Sequence, residues 1–348
     1  MQKKLINTFK YFIILMFLNH GPLYADEPSY TVQTESTKFI GSIAKEKNNN
    51  KNISFLGIPF AQPPVNELRW KAPRDLTNVP ETFDATKLPN RCMQVSNFYD
   101  SMDGIEGGSI IGSEDCLYLN IYVSERALNS RENLPVMFWI HGGGNTSGHK
   151  DFYNFSELVK RKDVIVVSTN YRLGPLGFFT HPAIQDFHSG LDKTSNFGIL
   201  DIVLALEWVN ENIASFGGDP NNITIFGESA GGHNVLSLLV AQQAKGLFHK
   251  AISQSGYTKS SSLQNAYKSE NFNEEGISDS WTVLNKIIVD NQLASDLNEA
   301  NTFQLNSSKE VLRKILYETN AQELVNLYGC LLYTSPSQRD SKKYRMPA

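Results

Sequence analysis

Hydrophobic and polar positions fall into two rhythms along the middle of the chain. Short apolar runs rich in β-branched and aromatic residues stand at 53–60, 116–123, 134–140, 163–170 and 223–226. Gly, Pro, Asn or Asp flank these runs, which have the length of strands buried inside a sheet. Between them, apolar residues recur every three or four positions. Residues 194–216 are predicted helical, with Phe197, Leu200, Val203, Leu204, Leu206 and Val209 on one stripe and Gly217-Gly218-Asp219-Pro220 as the stop. A second helix is predicted over 230–243, followed by a strand at 250–256. Strand and helix thus alternate from 116 to 256. That alternation predicts an α/β fold, a mostly parallel central sheet flanked by helices, and argues against a sandwich or propeller. Residues 29–50 are polar and predict an edge hairpin with a loop at 45–51. After 257 the pattern loosens, and short helices are expected at 281–289, 308–316 and 321–328 as a cap on the sheet.

Composition changes this picture little. Hydrophobic residues make up 41%, charged residues 20%, and the formal charge is -4, as in an ordinary globular chain. No basic stripe with interleaved aromatics points to nucleic acid. No Cys/His spacing resembles a metal site, and no cofactor motif is present. The N-terminus reads as a cleaved signal peptide, 1–25: Lys3 and Lys4, an apolar stretch at 11–18 too short to span a bilayer, and Ala25 before the cut. The expectation is a secreted or periplasmic protein without a transmembrane anchor. Cys92 and Cys116 either pair across a polar loop or stand as buried thiols; Cys330 has no evident partner. The main domain is expected over 26–330, and 331–348 reads as a disordered or non-native tail. Asn-x-Ser/Thr sequons at Asn52, Asn145, Asn154, Asn222 and Asn306 are read as unused.

The chemistry gathers at two glycine-rich turns. Gly227-Glu228-Ser229-Ala230-Gly231 is a G-x-S-x-G pentapeptide between a predicted strand and a predicted helix. That context holds a serine hydroxyl clear of the sheet, with Gly227 and Gly231 letting strand and helix approach closely. His141-Gly142-Gly143-Gly144 follows another predicted strand. Acyl transfer needs backbone donors aimed at the oxygen that becomes negative, and Gly142, Gly143 and Ala230 are assigned that role beside Ser229. A serine nucleophile also needs a base and an orienting acid. After Ser229 the chain holds only His233 and His249. The first lies in the nucleophile helix, and the second is expected at the far end of the next strand. His141 is expected to shape the glycine loop, while His149, His181 and His188 read as loop or surface residues. Asp201 and Asp219 precede the serine, and Asp201 is expected to tie down its helix. The catalytic acid and histidine are therefore expected to be missing from this chain.

With these residues assembled, the chain resembles the type-B carboxylesterase family, which includes the cholinesterases, within the α/β-hydrolase fold. The matching stretches run in order: Phe55-Leu56-Gly57-Ile58-Pro59-Phe60-Ala61, Arg69-Trp70-Lys71-Ala72-Pro73, Cys92-Met93-Gln94 and Ser113-Glu114-Asp115-Cys116 through Ile121. They continue with His141-Gly142-Gly143-Gly144, Asn170-Tyr171-Arg172-Leu173-Gly174, Phe216-Gly217-Gly218-Asp219-Pro220, the serine pentapeptide with Gly232, and Gln254-Ser255-Gly256. The resemblance implies hydrolysis of a small carboxylic ester through a serine acyl-enzyme. Ser229 would be the nucleophile, Gly142, Gly143 and Ala230 the oxyanion hole, Glu228 the supporting acid, and Cys92–Cys116 a disulfide. It further implies an amino-terminal part of a longer enzyme, with the C-terminal strands and helices of the full fold missing. The loop 93–115 lacks the tryptophan with which cholinesterases hold choline, which disfavours a choline ester. Two alternatives stand beside this reading: a non-catalytic secreted binding or adhesion protein on the same scaffold, and a lipase of the same fold. Nothing in the residues fixes an oligomeric state.

Overall fold

A computed structural model describes residues 29–44, 52–97, 100, 104–130, 133–258, 260–268 and 279–333. The expected signal peptide, the loop 45–51 and most of the expected tail lie outside these residues. Among the described residues, nine strands form one sheet: β1 (Ser29–Gln33), β2 (Lys38–Ala44), β3 (Asn52–Pro59), β4 (Thr82–Ala85), β5 (Tyr118–Ser124), β6 (Leu134–Ile140), β7 (Ile165–Thr169), β8 (Gly218–Glu228) and β9 (Lys250–Gln254). Their spatial order is β1-β2-β3-β5-β7-β6-β8-β9, with β4 alongside β2.

The parallel part of the sheet is the expected alternating region from β6 onward; β5, the first strand of that region, pairs antiparallel with both of its neighbours. β7, β6, β8 and β9 pair parallel, with Ile225 opposite Phe138 and Phe138 opposite Val167. The expected edge hairpin forms as β1 and β2, and β2, β3 and β5 carry antiparallel pairing inward to β7. The chain passes from β6 to β7 on one side and returns to β8 on the other. Such a reversal of winding leaves a crevice at the carboxyl ends of the two strands, the place where open α/β sheets bind ligands. Both glycine-rich turns leave the sheet there.

The predicted helices form with shifted ends. α1 (Phe197–Asn212) begins after Asn196, not at 194, and its last turn tightens into a 3-10 segment, Ile213–Phe216, before Gly217 adopts a left-handed φ of 85°. Its inner face, Phe197, Ile202, Val203, Leu206 and Val209, is buried against the sheet. α2 (Ala230–Val240) stops short of 243, at a short 3-10 turn. The cap contains α3 (Ser280–Asp290), α4 (Leu297–Asn306), α5 (Lys309–Glu318) and α6 (Ala321–Tyr333). No helix is expected from the sequence at α4, because few of its residues are apolar and it buries only Ala300 and Gln304. Its start is set by the Asp296 side chain accepting from Asn298 and Glu299 N–H. α6 runs through Cys330 to Tyr333, past the boundary expected for the tail.

Two cores result. One lines the sheet and α1, with Phe55, Phe138, Ile225 and Phe216 among its buried residues. The other lies under the cap, where Trp70 stacks on Phe179 with centroids 5.1 Å apart. Arg69 fixes the cap to the sheet side: its guanidinium donates to both Glu114 carboxylate oxygens at 2.6 and 2.7 Å and to the Thr319 carbonyl at 2.8 Å.

Candidate active site

The turn at Ser229 is the most constrained backbone in the crevice. β8 ends at Glu228, α2 begins at Ala230, and Ser229 between them sits at φ 56°, ψ -120°. A non-glycine residue held there costs on the order of 1–3 kcal/mol, so surrounding contacts must impose it. They do. A Cβ on Gly231 would lie 2.1 Å from the Ile140 carbonyl oxygen, and one on Gly227 2.6 Å from the Gly231 carbonyl. The Gly232 backbone packs closely on Gln254 and Gly256, and Ser229 N–H donates to the Gln254 carbonyl at 2.9 Å. Strand and helix therefore close on one another only because these positions carry no side chain. Ser229 itself is partly exposed, at the edge of the crevice.

The glycine loop abuts this turn. A Cβ on Gly142 would meet the Glu228 carbonyl at 2.6 Å and Ser229 Cβ at 3.3 Å. Gly143 and Gly144 adopt φ of 102° and 66°. No acceptor among the described residues takes the N–H of Gly142, Gly143 or Ala230. Their orientation is nevertheless fixed from behind. In a planar trans peptide the carbonyl and the following N–H point opposite ways. The His141 carbonyl, in the same peptide as Gly142 N–H, accepts from the Tyr171 hydroxyl at 2.8 Å. The Gly142 carbonyl, paired with Gly143 N–H, accepts from His141 Nδ1 at 2.8 Å. The Ser229 carbonyl, paired with Ala230 N–H, accepts from His233 N–H at 2.9 Å. Three donors bordering Ser229 thus have their carbonyls anchored on the opposite side.

Further contacts hold the anchors. His141 is buried and stacks on Tyr171 at 4.4 Å. Burial holds its pKa down to about 4, so the ring is neutral near pH 7 and Nδ1 carries the proton given to Gly142. The Tyr171 hydroxyl also lies 3.1 Å from Asn145 Oδ1, which accepts from Asn234 Nδ2 at 2.9 Å. Gln94 holds the end of the loop, its amide exchanging two hydrogen bonds with the Gly148 backbone at 2.7 and 2.9 Å. Gln94 stands two residues from Cys92, which is bonded to Cys116. Of the two readings of these cysteines, the disulfide is the one that forms. In the sequence, Gln94 and Tyr171 stand within family-like stretches but show no task of their own, because their partners lie far away along the chain.

A cavity of about 160 Å³ adjoins the loop, lined in part by Trp139, Gly142, Gly143, His149 and Glu228. Glu228 is exposed and faces it. The histidines divide as follows. His233 stacks on Tyr257 at 4.3 Å, and its Nδ1 meets the Tyr257 carbonyl. His249 lies at the amino-terminal end of β9, where its Nδ1 accepts from Ile223 N–H. His149 and His181 lie in loops, as the sequence suggests, but in the interior rather than at the surface. Both are buried, and burial lowers the pKa of each to about 4. His181 caps a short helix by accepting from Ala183 N–H and meets Gln304 of α4, a contact invisible without that helix. Asp201 is fully buried in a two-pronged pair with Arg172 at 2.7 and 2.8 Å, tying α1 to the loop after β7 as expected. Asp219 accepts from Asn221 N–H, remote from the serine in the strand. Among the described residues no group of side chains could hold a metal ion.

Comparison with known proteins follows the same lines. The family model described as the carboxylesterase family matches residues 28–327. Cocaine esterase of Homo sapiens is 43% identical over 236 residues, covering 66% of this chain and 41% of that protein. Para-nitrobenzyl esterase of Bacillus subtilis is 43% identical over 212 residues, covering 60% and 41%. A solved structure titled thermophilic PNB esterase aligns with TM-score 0.66 at 32% identity, over 86% of this chain and 53% of that one. The chain thus spans about two fifths of the length of the curated relatives it matches. With an α/β-hydrolase sheet, a serine at the strand–helix turn and a family match across nearly all the described residues, the chain belongs to the carboxylesterase family.

Proposed function

We propose that the protein hydrolyses small carboxylic esters through an acyl-enzyme on Ser229. What supports the reading most directly is the anchoring of three peptide units around that serine, with their N–H groups left without an internal acceptor among the described residues. Ser229 Oγ adds to the ester carbonyl carbon as its proton passes to a general base. The carbonyl oxygen becomes negative and rests on the N–H groups of Gly142, Gly143 and Ala230. Donors held in place beforehand need no reorganisation as charge develops, and each contributes about 3–4 kcal/mol to such a step. The carbon–oxygen bond then breaks, alcohol departs with a proton, and water releases the acid from Ser229. Glu228, beside the turn and facing the adjoining cavity, supports positive charge that develops on the base.

The base and its orienting acid are assigned to none of the described residues. His233 and His249 are engaged elsewhere, and Asp201 is committed to Arg172. We assign the protein to a secreted or periplasmic setting. The Cys92–Cys116 disulfide supports this, since such bonds persist in oxidising compartments. No helix among the described residues is long and apolar enough to cross a membrane.

A fluorophosphonate probe tests the assignment. Ser229 Oγ would attack phosphorus and fluoride would leave. The expected outcome is slow labelling, mapped to Ser229 by peptide mass and abolished in Ser229→Ala. Labelling at another residue, or undiminished in that variant, overturns the serine assignment. A rapid burst lost in Ser229→Ala would show that this chain supplies its own base.

A further inference from the structure

A second cavity, of about 600 Å³, shares no lining residue with the one beside Ser229. It opens where the β1–β2 turn meets the outer side of α1. Its floor is aromatic: Phe39 packs edge-on against Phe83 and Trp208, at 6.0 and 6.1 Å between centroids, and Phe39 and Trp208 both lean on Phe216 of the core. Four carboxylates line it, Glu35 from the β1–β2 turn, Asp75 from the loop before β4, and Glu207 and Glu211 from α1. Among the described residues no lysine, arginine or histidine lines it. Among the same residues none of the four acids forms an ion pair, whereas others of this chain, such as Glu114 and Asp192, have arginine partners. The turn carrying Glu35 is rigid: Thr34 N–H donates to the Thr37 carbonyl, Thr37 N–H returns to Thr34 Oγ1, and Thr37 Oγ1 donates to the Pro80 carbonyl.

Unpaired like charges around an apolar floor repel one another. The repulsion shows at Glu207, whose pKa is raised first by partial burial and then by Asp75 and Glu211. The size lies within the range of small-molecule sites. Charge of one sign from several directions, over rings that attract cations and cover methylene groups, suits an extended organic cation with more than one charge. The geometry points to this cavity as a binding site for a linear aliphatic polyamine, its ammonium groups on the four carboxylates and its methylene spacers on Phe83 and Trp208. A compact divalent metal ion fits less well, since among the described residues the carboxylates form no cluster able to hold one.

Isothermal titration of the full chain with spermidine tests this. Saturable one-to-one binding is expected, weakened roughly fivefold or more in Glu207→Gln/Glu211→Gln, a loss of about 1 kcal/mol or more in all. Trp208→Phe should keep the fold and weaken binding less, and Glu228→Gln should leave it unchanged. Magnesium at equal ionic strength should not compete. Absence of saturable binding at millimolar spermidine in wild-type protein overturns the proposal. So does binding that survives intact in the double variant, that magnesium abolishes, or that Glu228→Gln removes. The two glutamine substitutions are conservative and on the outer side of α1; circular dichroism and Tm on each variant separate lost binding from lost fold.

Discussion

Gly231 has no room for a methyl group, because the Ile140 carbonyl oxygen already occupies its place. Gly231→Ala must push α2 away from β6. It should destabilise the protein by about 1–3 kcal/mol, the usual cost of overpacking, measured by urea unfolding; an unchanged midpoint would contradict the close approach. Tyr171 is a finer case. Tyr171→Phe keeps the ring stacked on His141 but leaves the His141 carbonyl without its donor. The expected loss is about 1–2 kcal/mol of stability together with slower fluorophosphonate labelling of Ser229. Stability lost without any change in labelling would show that the hydroxyl does not position the Gly142 N–H. Asp201→Ala would strand the Arg172 guanidinium in the interior. Removing one partner of a buried pair costs about 3–5 kcal/mol, so the variant should unfold at markedly lower urea or fail to accumulate.

Among the elements, the glycine loop depends on a neighbour that secondary structure does not name. Gln94 grips Gly148, and the Cys92–Cys116 bond holds Gln94 close to β5. Gln94→Ala leaves both Gly148 backbone groups short of a partner. Amide hydrogen exchange should therefore quicken across 142–149 while β6 and β8 stay protected; equal protection in both proteins would remove Gln94 from this role. The central strands β3, β5, β6 and β7 were legible because each is a short, largely buried run of β-branched and aromatic residues, whereas β4, short and mostly exposed, carries no such run. Helix ends were not legible, since they depend on which residue finds a cap. Asp296 and Ser308 do so through backbone N–H groups two or three residues on, and α4 between them has almost no apolar stripe to betray it.

For the whole molecule, buried neutral histidines make stability depend on pH. His141, His149 and His181 have folded pKa values of about 4, below the ordinary value of 6.5. Between those limits the unfolded chain binds more protons than the folded one, so stability rises with pH. Lowering pH from 7 should erode stability progressively below about 6.5, with no further loss from these rings once the folded values are passed. Urea midpoints at pH 7, 5.5 and 4.5 check this. A flat profile would mean that the rings are protonated in the fold. His181→Gln should flatten the slope by one proton's share.

The residues alone determined the alternation of strand and helix, the serine at a strand–helix turn and the glycine loop after a neighbouring strand. Each is set by contacts within a few residues: apolar period, turn chemistry and the steric freedom of glycine. Only the tertiary structure decided that Gly142 lies against Ser229, that Tyr171, His141 and His233 anchor the peptides beside it, and that His149 and His181 are interior. Those relations join residues from separate strands and helices, and they exist only once the sheet's winding reverses between β6 and β8 and brings both turns to one crevice.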